Sequence, residues 1–171
     1  MLKSLRFDRG VLAVLLAMVL TGAAALPKSA SVVDKNPSSL GGYPIGNIRV
    51  IFTDGHSEKW TKLGRALLPG VSSTGLVGWA AFKIRNDRGW PVDDTLRICW
   101  PDGRHEDFAS GCPFIEAWNF AGNDAAVVIK SRGSHGSADY DEYDLASGKL
   151  IGHAHGLFGK NLPIWAQPFS D

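Results

Sequence analysis

The stretch Ile48-Arg49-Val50-Ile51-Phe52-Thr53-Asp54-Gly55-His56-Ser57-Glu58-Lys59-Trp60 decides how this chain reads, because it recurs. Forty-eight positions on, Leu96-Arg97-Ile98-Cys99-Trp100-Pro101-Asp102-Gly103-Arg104-His105-Glu106-Asp107-Phe108 repeats its Arg, Asp, Gly and Glu and matches four apolar or aromatic positions in kind. Each copy reads as a strand, an Asp-Gly turn and a second strand, with glycine supplying the positive φ that such a turn needs. Leu96, Ile98 and Trp100 fall on one face of the pleat and Arg97 and Cys99 on the other. A Trp-bearing strand follows each copy, at Val77-Gly78-Trp79 and at Glu116-Ala117-Trp118. Tyr143–Ile151 is a weaker third echo.

Outward from the repeat, the chain is a series of short apolar segments separated by Asp-Gly, Asn-Asp and Ser-Gly turns. The clearest are Ile48–Thr53, Gly75–Ile84, Thr95–Trp100, Phe114–Phe120, Ala125–Lys130, Asp139–Leu145 and Leu150–His155; Glu58–Thr61 and His105–Ala109 are weaker. Ala125–Ile129 is apolar on both faces and reads as an interior strand. Only Lys59–Leu68 has a tolerable helical period, and Gly64 interrupts it. The expected fold is all-β: antiparallel strands in two or three propeller-blade-like units, forming an open sandwich or part of a propeller.

Pro101-Asp102-Gly103 after an aromatic strand, and Tyr143-Asp144-Leu145-Ala146-Ser147-Gly148 before one, resemble the turns of WD-type propeller repeats in small exported bacterial proteins. The resemblance spans roughly residues 48–156. It implies a blade-like arrangement, and no particular function follows from it. A closed propeller needs four or more blades, whereas this chain has room for two or three.

The N-terminus carries Lys3, Arg6 and Arg9, then an uncharged run from Val11 to Leu20, then Thr21-Gly22-Ala23-Ala24-Ala25. Basic, apolar and small-residue parts in that order are those of a secretory signal peptide. The apolar run is about half the length of a spanning helix, for which roughly 20 residues are needed. Residues 1–25 are therefore expected to be a signal peptide cleaved after Ala25, placing the mature protein in the periplasm or outside the cell, with no membrane span. Residues 26–47, rich in Pro, Ser and Gly, read as a flexible tether, 48–157 as the β domain, and 158–171 as a tail packed on the domain. With 18 basic and 17 acidic side chains in 171 residues the chain is nearly neutral and has no basic run. It offers no footprint for nucleic acid.

Cys99 and Cys112 are a reasonable pair for a disulfide in an oxidising compartment, where closing the loop would contribute roughly 3 kcal/mol. Cys99 also fits a buried free thiol within a strand. His153-Ala154-His155 places two imidazoles on one face of a strand, and His135 could complete a metal site with Glu142 as base. A solvated hairpin with histidine–carboxylate pairs explains the same residues. No G-x-S-x-G elbow is present, and Ser134-His135, adjacent in sequence, is no triad, so a serine hydrolase has no support in the sequence. Trp79, Trp100, Trp118 and Tyr140 form either core or an aromatic platform. Trp90, His135 and Tyr140 are the expected ligand contacts outside the core.

The expected function is an exported, non-catalytic β domain that binds an envelope protein or a second copy of itself, without a cofactor. A metal-dependent hydrolase built on His135, His153, His155 and Glu142 is the alternative. A carbohydrate-binding module using Trp90 is a further one.

Overall fold

A computed structural model describes residues 24–40, 43–84 and 91–169, so the signal-peptide expectation and Trp90 lie outside the described residues. Eleven strands follow in chain order: β1 Pro27–Leu40, β2 Tyr43–Phe52, β3 Ser57–Lys59, β4 Ala66–Val71, β5 Val77–Ile84, β6 Pro91–Cys99, β7 His105–Ala109, β8 Phe114–Ala121, β9 Ala126–Arg132, β10 Ala138–Asp144 and β11 Leu150–His155. They form one open sheet in the order β1-β2-β4-β5-β6-β8-β9-β10-β11, with β3 on β2 and β7 on β6. The all-β expectation holds. No helix among the described residues is long and apolar enough to cross a membrane.

The recurring hairpins are equivalent bond for bond. The Gly55 and Gly103 amides each donate 3.0 Å back to the carbonyl of the aromatic residue three before, Phe52 and Trp100. The Phe52 amide donates to the His56 carbonyl (3.0 Å) and the Trp100 amide to that of Arg104 (2.9 Å). Asp54 and Asp102 each accept from the amide two residues on, at 3.1 and 3.0 Å. Gly55 and Gly103 sit at φ of 90° and 87°, where a side chain would be strained. Even the ring contact repeats: His56 stacks on Phe52, and the Arg104 guanidinium lies over Trp100.

Beyond the hairpins the strands sort into three layers, β1–β3, β4–β7 and β8–β11. The first joins the second through the Gly46/Ala66 pairing, and the second joins the third through a parallel pairing of Asp93 with Phe114. Ala66 and Phe114 are again forty-eight positions apart. Ile48, Val50 and Phe52 of the first layer pack on Val77 and Trp79 of the second. The opposite face of the second layer sends Ala80, Leu96, Ile98 and Phe108 against Ile115, Val127 and Ile129 of the third. A strand apolar on both faces suits a central layer. The outer face of the third layer, with Ala138, Tyr140 and Ala154, is covered by Leu162 and Ala166 of the C-terminal segment, whose 3-10 turns are Gly159–Asn161 and Ile164–Phe169.

Two stretches differ from expectation. Residues 26–47 are not a tether: β1 pairs with β2 from Pro27/Phe52 to Leu40/Tyr43. Three register shifts absorb the irregular residues, and β1 is an edge strand, where proline removes no ladder bond that matters. Ala30 and Val32, spaced by two, pack against the first core. Lys59–Leu68 is not a helix; it is the end of β3, a bend with Gly64 at φ 62°, and the start of β4.

Candidate functional site

An open cavity of about 630 Å³ lies at the edge between the first and second layers. Its floor is the outward face of β5 and β6, where Trp79 pairs with Arg97 and Val77 with Cys99, so that Trp79, Ala81, Arg97 and Cys99 share one face. One wall is the link from β3 to β4, which contributes Trp60, Lys62 and Arg65; the other is the β6–β7 turn with Trp100.

Both walls are held in place by hydrogen bonds. Buried Asn47 accepts from the Gly64 amide (2.8 Å) and the Thr61 hydroxyl (3.3 Å), and Thr61 Oγ1 accepts from the Ile48 amide at 2.8 Å. The Trp60 indole N–H donates to Glu58 at 3.0 Å. Across the cavity, the Arg104 guanidinium stacks 4.8 Å from the Trp100 ring centroid while its Nε donates to Asp102 at 2.8 Å. Trp60 and Trp100 are thus held at two borders of the space by contacts outside it, with Trp79 at its floor.

The charges of the lining are one-sided. Lys62, Arg65, Arg97 and His105 border the cavity, and no carboxylate among the described residues does. Arg97 is engaged, donating twice to Asp107 at 2.7 Å; that contact raises the Arg97 pKa and holds the Asp107 carboxyl below its ordinary range. Among the described residues neither Lys62 nor Arg65 has an ion-pair partner. Burial pushes the Cys99 thiol up to about 11. His105 lies opposite Cys99 in the β6/β7 pairing, but among the described hydrogen bonds none joins the two. A thiol that stays protonated at neutral pH is a poor nucleophile.

The histidine strand is built differently from a metal site. His153 Nδ1 lies 2.8 Å from Asp141 Oδ1, and His155 Nδ1 bonds Asp139 Oδ1. The second oxygen of each carboxylate is taken by the loop after β7: the Gly111 amide donates to Asp141 at 2.8 Å and the Cys112 thiol to Asp139 at 3.2 Å. Burial opposes ionisation of Asp139, yet the His155 and Cys112 hydrogen bonds outweigh it and lower its pKa. His135 stands on an exposed turn between β9 and β10. Glu142 is on the other face of β10, beside Gly152 and Trp165, where burial raises its pKa. Strand alternation therefore parts it from the histidines. Among the described residues no three His, Cys, Asp or Glu side chains are grouped to hold a metal ion.

The expected disulfide is also absent, and both cysteines are free. Cys99 faces the cavity with the first core, whereas Cys112 is turned to Asp139 in the third layer. The expected aromatic platform is divided too. Trp79 faces the cavity, and Trp100 borders it while packing against the core between the second and third layers. Trp118 instead packs over Gly70 and Gly78 and donates its indole N–H to the Leu68 carbonyl at 2.7 Å. Tyr140 is buried beneath the C-terminal segment and is closed to a ligand.

Trp60, Lys62 and Arg65 were not signalled as site residues by the sequence. Their one clue is the repeat: Trp60 stands where the second copy has Phe108, yet Phe108 is core and Trp60 lines the cavity. Comparison with protein-family models finds no match to this chain, and comparison with curated proteins finds none either.

Proposed function

We propose that this protein is an exported, non-catalytic β domain that captures a small organic ligand in the cavity between Trp60, Trp79 and Trp100. The observation that carries the reading is that cavity itself, about 630 Å³, with Trp79 at its floor and Trp60 and Trp100 at its borders. Ligand sites are concave, mostly apolar, already formed and roughly 300–1,000 Å³ in size. The Cys99 thiol, kept protonated by burial, supports binding over nucleophilic chemistry at that position. Export rests on the basic, apolar and small-residue order of residues 1–25. The hydrolase reading loses its support with the parting of Glu142 from the two histidines.

The test is a thermal-shift screen of small organic molecules against the purified protein and against Ala81→Phe, which fills the floor. Hits that raise the wild-type midpoint and fail with Ala81→Phe are expected. A screen whose hits stabilise both proteins equally, or that yields none, sinks the proposal.

A further inference from the structure

Resting on that reading, we infer that the ligand is an aromatic carboxylate, its ring held between the indoles and its carboxylate met by Lys62 and Arg65. Among the described residues four cationic or imidazole side chains border the cavity and no acidic one does. Arg97 is already neutralised by its two bonds to Asp107, so it adds no free charge at the floor. Lys62 and Arg65 are exposed and without an ion-pair partner among the described residues, and both come from the wall that Asn47 pins.

The charge therefore sits at the mouth and the aromatic surface deeper, with Trp79 buried at the floor. A ligand complementary to that gradient has a flat apolar body and one anionic end. Aromatic rings pair best with aromatic rings in offset or edge-on geometry, and a carboxylate accepts charge-assisted hydrogen bonds from a guanidinium or ammonium. A cationic ligand would meet two like charges at the entrance, and a wholly apolar one would leave them unused.

The probes are 2-naphthoate, its neutral counterpart 2-naphthalenemethanol, and D-glucuronate, titrated calorimetrically into the full chain. Wild type should bind the naphthoate about tenfold or more tighter than the alcohol, a preference that falls with added salt. The Lys62→Gln/Arg65→Gln variant should bind the two naphthyl probes alike and keep the wild-type affinity for the alcohol. Both side chains are exposed, and unchanged circular-dichroism melting shows that the variant is folded. Equal binding of the two naphthyl probes by wild type overturns the anionic assignment while leaving the cavity as a binding site. Binding of glucuronate in preference to naphthoate overturns the aromatic one. Binding of no probe, together with a screen whose hits ignore Ala81→Phe, overturns the binding reading itself.

Discussion

Burial withdraws water from the Asp93 carboxyl and, with the neighbouring Asp94 charge, pushes its pKa to about 6. Between about pH 4 and 6 the native state keeps a proton that the unfolded chain has released. The contribution of Asp93 to stability therefore falls as pH rises through that window, by roughly 3 kcal/mol, and stays level above it. Asn in place of Asp93 keeps the size and polarity of the side chain and removes the titration. Urea unfolding of Asp93→Asn should give stability above wild type at neutral pH, with the gap closing toward about pH 4. Parallel pH profiles for the two proteins would show that Asp93 does not titrate in this way.

At the scale of elements, the β2–β3 and β6–β7 hairpins use the same hydrogen bonds at equivalent positions, so the same lesion should cost the same in each. A Cβ added at Gly55 or Gly103 meets nothing within 4 Å, leaving the positive φ as the only penalty. Gly55→Ala and Gly103→Ala should each lower stability by roughly 1–2 kcal/mol. Because the two turns share no partner, the double variant should lose the sum. Gly78→Ala is a contrasting case: its Cβ would lie 2.5 Å from Trp118 and 2.6 Å from Ile98, in the core between the second and third layers. Overpacking there should cost at least as much, roughly 1–3 kcal/mol. Chemical denaturation of the set separates the two mechanisms, and a neutral Gly103→Ala would contradict the equivalence of the hairpins.

For the whole molecule, the layers are joined by packing and not by a covalent bridge between Cys99 and Cys112. The unreduced protein should therefore carry two free thiols by mass after alkylation of the unfolded chain. A reducing agent should leave its melting midpoint unchanged, where a disulfide over that loop would be worth roughly 3 kcal/mol. A cross-linked native species would overturn the placement of Cys112 on Asp139. In that placement one loop, Ser110 to Cys112, ties the second layer to the third: Cys112 also donates its amide to Ser131 Oγ at 3.2 Å.

Local patterning determined much of this protein. Alternation located most strands, and β7 and β11 fall on His105–Ala109 and Leu150–His155 as the sequence implies. Asp54-Gly55 and Asp102-Gly103 marked their turns because a positive φ leaves a signature in the residue that adopts it. The first strand and β4 were hidden, since their residues resemble linkers or helix and become strands only by pairing with β2 and β5. The histidine–carboxylate pairing was within reach of strand register, and so was the parting of Glu142, one position from Asp141 on a pleat. What only the tertiary structure decided is which indoles meet. Trp60 and Trp79 belong to the first core, whereas Trp100 borders the same cavity yet packs with Trp118 against the core between the second and third layers. Sequence records which faces are apolar; which apolar face meets which, and where the fit leaves a cavity, is settled by packing the layers together.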